Sequence, residues 1–179
     1  MHKRIFIGIP INSENISIID NFREKQLLDI PLRWVTDANL HVTLHFIGNK
    51  SISELDIIRG KLAKFSMKFQ TFYLNFERFE LAPMYNSYMI WARFCANEVF
   101  TFLSQSLAKE LGSKKDFKSL PHITLARFNP NKYNVSIRNS TALAKISVNE
   151  FYLYESILLP TGAKYIVLDR FTLQKRFIP

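Results

Sequence analysis

The 179-residue sequence predicts an α+β fold built mainly on antiparallel sheets. Three observations predict it. Short β-branched and aromatic runs recur along the whole chain. Amphipathic stretches with cap residues are interleaved with them, without the strict strand–helix alternation of a parallel sheet. One strand-like pattern also occurs twice, as His41-Val42-Thr43-Leu44 and again 81 residues later as His122-Ile123-Thr124-Leu125. The repeat suggests two related strands in two related lobes, within one domain covering residues 1–179.

Taken in order, Ile5–Ile9 is short and β-branched and reads as a buried strand. Asn12 or Ser13 can cap a helix to about Leu28, whose apolar stripe is Ile16, Ile19, Phe22 and Leu27. Pro31 ends that region. Leu40–Ile47 alternates like a strand and is expected to stop at Gly48-Asn49. Ser53 with Glu54 opens a helix to about Phe65, carried by Leu55, Ile58, Leu62 and Phe65. Phe69–Phe79 and Ser87–Phe94 read as two strands around a turn at Pro83–Asn86. Asn97 caps a helix ended by Gly112, with Phe100, Leu103, Leu107 and Leu111 on its apolar face. A basic loop with Lys114, Lys115 and Lys118 leads to Pro121 and a strand at His122–Phe128. A weaker helix covers Ser136–Ala144, and final strands cover Ile146–Leu158 and Tyr165–Leu173.

Composition narrows the function classes. The chain is 47% hydrophobic and 22% charged, as an ordinary folded protein is, and 16 Phe residues foretell an aromatic core. The formal charge of +9 suits a polyanionic partner such as RNA, although a solvated basic surface explains it equally well. Cys95 is the single cysteine, so no internal disulfide forms; it reads as a small buried residue. No apolar run reaches membrane-spanning length, and residues 1–15 lack a signal-peptide pattern. A soluble cytoplasmic protein and a monomer are the expectations.

The duplicated pattern carries the chemistry. On a strand, residues i and i+2 face the same side, so His41 goes with Thr43 and His122 with Thr124. If the two strands are neighbours, one pocket holds two imidazoles and two hydroxyls. One histidine can take a proton from an attacking water while the other gives one to a departing oxygen. The ordinary imidazole pKa of about 6.5 allows both roles near neutrality. The threonines can donate to non-bridging phosphate oxygens. A lone strand histidine is usually structural, but two copies of the pattern among four histidines are harder to set aside. Zinc is disfavoured: on a strand His41 and His45 stand about 13 Å apart, and neither motif contains an acidic residue. No cofactor or metal is expected. Arg127 is either a phosphate clamp or a surface charge, because strict strand parity turns it away from His122 unless the strand bulges near Ala126.

Leu40–Gly48 and Pro121–Arg127 resemble the twin motifs of the 2H phosphoesterase superfamily, and within it the RNA 2′,3′-cyclic phosphodiesterase (2′-5′ RNA ligase) family. Arg4–Ile9, Arg33-Trp34-Val35, Leu153-Tyr154-Glu155-Ser156 and then Gly162, Tyr165, Leu168 and Phe171 fit the same family in order. The resemblance implies two lobes of antiparallel sheet and helices around a cleft with pseudo-twofold symmetry. It implies hydrolysis of 2′,3′-cyclic phosphate RNA ends to 2′-phosphates, in some members with tRNA-half ligation. His41 would then be the proton donor and His122 the acceptor. Thr43, Thr124 and Arg127 would bind phosphate. Phe46 or Phe6 is available to stack on a terminal base, with core packing as the other reading. The Lys114–Lys118 loop either tracks an RNA backbone or is solvated. Two other functions fit the same residues. One is a sister phosphoesterase acting on 2′-5′ oligonucleotides or ADP-ribose cyclic phosphate. The other is an RNA-binding module without turnover.

Overall fold

The structure is a computed structural model that describes residues 2–26, 32–113, 120–138, 142–160 and 162–175. The chain folds as α+β, with three helices among the described residues and sheets in which all paired strands run antiparallel. The first strand, β1 (His2–Pro10), is apolar on both faces, which suits a strand covered on both sides. Ile5, Phe6, Ile7 and Ile9 are all buried. Asn12 caps α1 (Ser13–Lys25) by accepting the Asn15 amide. The expected end of this helix at Leu28, and the break at Pro31, lie outside the described residues. A short strand absent from the sequence reading, β2 (Arg33–Trp34), follows.

The strand with the first histidine, β3 (His41–Ser51), runs straight through Gly48-Asn49 rather than stopping there. Gly48 adopts φ +90°, and the β1–β3 register shifts beside it, so a bulge absorbs the glycine without ending the ladder. α2 (Ile52–Ser66) is capped by Ser51 rather than Ser53, in a reciprocal box with Glu54. Glu54 stands three positions after Ser51, the spacing at which each side chain reaches the other's amide; Ser53 is too close.

Two expected long strands each divide in two. Residues 69–79 give β4 (Phe72–Leu74) and β5 (Phe76–Ala82); residues 146–158 give β8 (Ile146–Val148) and β9 (Glu150–Leu159). β4 pairs with β8 in a small sheet of their own, and the chain changes sheets at Asn75 and Asn149. There the carbonyls turn to other segments: Asn75 O accepts from Cys95 N and Asn149 O from Leu173 N. Apolar runs of this length register burial but not which sheet provides it. β6 (Met89–Phe94) follows the turn, and Asn97 caps α3 (Glu98–Glu110), which ends at Gly112 with φ +74°. Cys95 is exposed just past β6, not buried, because the strand has ended by that point. The described parts of residues 136–144 contain no helix, and Val135 and Leu143 reach the core from irregular backbone.

With β7 (His122–Arg127) and β10 (Gly162–Thr172), the large sheet has the order β10-β9-β1-β3-β7-β6-β5, with β2 pairing to β7. α2 packs against β3 and β10, and α3 against β3. Val42 and Ile123, both fully buried, are the residues paired where β3 meets β7. That seam joins β10-β9-β1-β3 to β7-β6-β5 and brings the duplicated motifs together.

Candidate active site

Alternation along the strands decides where the motif side chains go. Val42 and Ile123 point into the core, so His41, Thr43, His122 and Thr124 point the other way. All four line one cleft of about 1130 Å³. Carrying the seam register one residue either way sets His41 across from Thr124 and Thr43 across from His122.

Both rings are oriented by the same device. His41 Nδ1 lies 2.7 Å from the Asn39 carbonyl, and His122 Nδ1 lies 2.8 Å from the Leu120 carbonyl, each two residues earlier in the chain. A carbonyl only accepts, so the neutral rings carry their proton on Nδ1 and leave Nε2 as an acceptor. The Thr43 hydroxyl donates to His41 Nε2 over 3.0 Å. The Asn39 side chain also donates to Ala163 O and accepts from Tyr165 N, tying the turn that holds His41 to β10. Trp91 stacks on His122, with ring centroids 3.7 Å apart and planes at 17°.

Arg127 shares the cleft despite the parity argument. In the β6–β7 ladder Trp91 pairs with Thr124 but Ile90 pairs with Ala126, so Leu125 is an extra residue on β7. This bulge buries both Leu125 and Ala126 and returns Arg127 to the side of His122 and Thr124. Arg127 Nη1 donates to Met89 Sδ. Arg33, Lys109 and Arg127 are the cleft's basic groups among the described residues, and no Asp or Glu lines it. Such a wall attracts an anion.

The chain is similar to known proteins in sequence and in fold. Residues 9–91 match the family model described as LigT-like phosphoesterase. An RNA 2′,3′-cyclic phosphodiesterase of Thermotoga maritima is 28% identical over 177 residues, covering 92% of each chain. One of Archaeoglobus fulgidus is 27% identical, covering 90% of this chain and 96% of its own. The crystal structure of Escherichia coli LigT complexed with 3′-AMP superimposes with a TM-score of 0.79 at 22% identity, covering 97% of this chain and 99% of its own. The chain is similar to the LigT-like phosphoesterases in sequence over residues 9–91 and to LigT in fold over nearly its whole length.

Burial pushes His41 down to about 4, against the Asn39 hydrogen bond, which raises it; His122 and Arg127 push it lower still. Burial also lowers His122, against the Leu120 bond and the Glu80 carboxylate, which raise it. Both rings are therefore neutral in the empty cleft at pH 7. His45 stands on the same strand face and also lines the cleft. Among the described residues no three His, Cys, Asp or Glu side chains cluster as metal ligands would.

Phe6 corrects one expectation. It is only 2% exposed and sits behind His41, 4.8 Å from that ring and 4.9 Å from the stacked Tyr154 ring. Its faces are covered, so no base can stack on it. Phe46 does line the cleft and is 66% exposed. The Lys114–Lys118 loop lies outside the described residues, apart from the cleft residue Ser113 before it. Sequence reasoning gave no site role to Trp91, Asn39 or Tyr165. The alternation of β6 could have exposed Trp91, since Met89 and Trp91 both face the cleft.

Gly8 was also passed over as part of a buried strand. A Cβ there would lie 3.0 Å from His41 Cδ2 and 3.2 Å from the Val42 carbonyl. The backbone cannot yield, so the His41 ring must. The Gly8→Ala enzyme is expected to remain folded and lose about 10–100-fold in kcat, in line with the cost of slight misplacement. Steady-state kinetics beside near-ultraviolet circular dichroism checks this; unchanged kcat would show that His41 needs no such exact seat.

Proposed function

We propose that the chain hydrolyses 2′,3′-cyclic phosphate ends of RNA to 2′-phosphate ends, using His41 and His122 and no metal. The observation that carries this reading is the β3–β7 seam, which sets two His-x-Thr units against one cation-rich cleft. The names of the curated relatives support the same substrate class.

The roles follow from position and charge. Water attacks phosphorus and gives its proton to His122 Nε2. The P–O3′ bond breaks, and the 3′ oxygen takes a proton from His41 Nε2. Hydroxyls of Thr43 and Thr124 and the Arg127 guanidinium hold the non-bridging oxygens, where negative charge is held through the reaction. Phe46 offers an exposed ring to the terminal base. Since both histidines start neutral, the phosphate anion must raise the pKa of His41 as it binds, so the acid is armed by its own substrate. The formal net charge of +9 favours an RNA over a neutral ligand.

The test is product analysis on an oligonucleotide with a 2′,3′-cyclic phosphate end, with a chelator present. A 2′-phosphate is expected, at the same rate as without chelator. A 3′-phosphate product, or activity that the chelator abolishes and zinc restores, would overturn the proposal.

A further inference from the structure

Arg33 has no role in the chemistry above, yet its placement is unusual. On β2 it stands directly across from Arg127 on β7, so the two side chains leave the same face of the ladder. Both line the cleft, and Arg33 is exposed. Two like charges directly opposite on a sheet destabilise it unless something offsets them. Among the described residues no carboxylate does: Arg23, Arg59, Arg78 and Arg93 each have acidic partners, while Arg33 and Arg127 have none. A cleft of about 1130 Å³ also exceeds what one nucleotide fills.

We propose that Arg33 binds the phosphodiester joining the terminal nucleotide to its neighbour, so that the cleft selects RNA ends over free cyclic mononucleotides. This rests on the cyclic phosphodiesterase reading, in which Arg127 holds the reacting phosphate. The next phosphate along the strand then needs a cation one step away, and the cross-strand neighbour supplies it. A guanidinium suits the task because it binds a phosphate through two parallel hydrogen bonds. Free of ligand, the pair repels itself; with two phosphates seated, each charge is matched.

The experiment compares a nucleoside 2′,3′-cyclic phosphate with a dinucleotide carrying the same cyclic end. Arg33→Gln is expected to lower the dinucleotide-to-mononucleotide ratio of kcat/KM about 10-fold, mainly through KM. Arg33→Lys should recover part of that ratio. Salt should weaken the wild-type dinucleotide reaction with a log–log slope steeper by about 0.7 than the mononucleotide reaction, and Arg33→Gln should remove the difference. The melting temperature of Arg33→Gln should not fall, since a repulsive contact has gone. A ratio unchanged by Arg33→Gln overturns the proposal, as does Lys109→Gln lowering the ratio where Arg33→Gln does not. Turnover of neither substrate by the unaltered chain removes the phosphodiesterase reading itself and this one with it.

Discussion

Replacing His122 or His41 by alanine is expected to cost roughly 10²–10⁴ in kcat for cyclic phosphate hydrolysis, the range for a lost acid or base. The double variant should be little worse than either single one, because the two rings serve one concerted step. Neither change should unfold the protein, since both rings stand on the cleft wall rather than in the apolar core. The wild-type pH profile follows from the two depressed pKa values. Only the form with one proton on the pair is productive. Lowering pH through about 4 adds a second proton and removes the base. Raising it past the value of His122, itself below 6.5, removes the last proton and with it the acid. So kcat/KM, which reports the free enzyme, should be bell-shaped with both limbs below pH 6.5, whereas kcat should hold to higher pH because the bound anion raises both rings. A substrate with sulfur in place of the 3′ oxygen separates the roles. Its leaving group needs no proton, so His41→Ala should recover on it and His122→Ala should not. The opposite sorting exchanges the two roles.

The sequence spoke clearly wherever a property depends on neighbours in the chain. The three helices were legible from their stripes and caps at Asn12 and Asn97, because capping needs only three residues of context. The facing of His41 with Thr43 and of His122 with Thr124 follows from strand alternation alone. What could not be read depends on distant pairing. The division of residues 69–79 between two sheets is set by β8, more than 70 residues away, and nothing within the run itself marks it. The two-residue strand β2 exists because β7 offers it an edge. The extension of β3 past Gly48 likewise rests on β1, against which β3 bulges to keep the ladder.

In the cleft the same division holds. The paired imidazoles were visible because the motif is duplicated. Trp91 and Gly8 were not, since each matters through a contact with a histidine on another segment, and Asn39 was not, since the turn that aims its carbonyl at His41 is tied to β10. Phe6 misled because a strand phenylalanine beside a motif looks the same in sequence whether its ring meets the cleft or the back of His41. The difference lies in Tyr154 and Tyr165, which close over it from β9 and β10.

Arg127 shows how far a single inserted residue shifts the outcome, and its replacement carries the second large effect. Arg127→Ala is expected to lower kcat/KM by about 10²–10³, the scale for losing one donor to developing charge in a site of this kind. Arg127→Lys should restore only a minor part, because an ammonium keeps the charge but not the planar pair of donors. A purely structural residue would give neither result in that order. It would also leave the pH profile in place, whereas Arg127 depresses both histidines through its charge. Removing a cation favours the protonated rings, so both limbs of the kcat/KM profile should move upward in Arg127→Ala and stay put in Arg127→Lys. Thermal stability should be nearly unchanged, since Arg127 has no carboxylate partner among the described residues and faces Arg33 across the ladder. A pH profile that stays fixed in Arg127→Ala while the melting temperature drops would mean that the β7 bulge aims the guanidinium at packing rather than at phosphate.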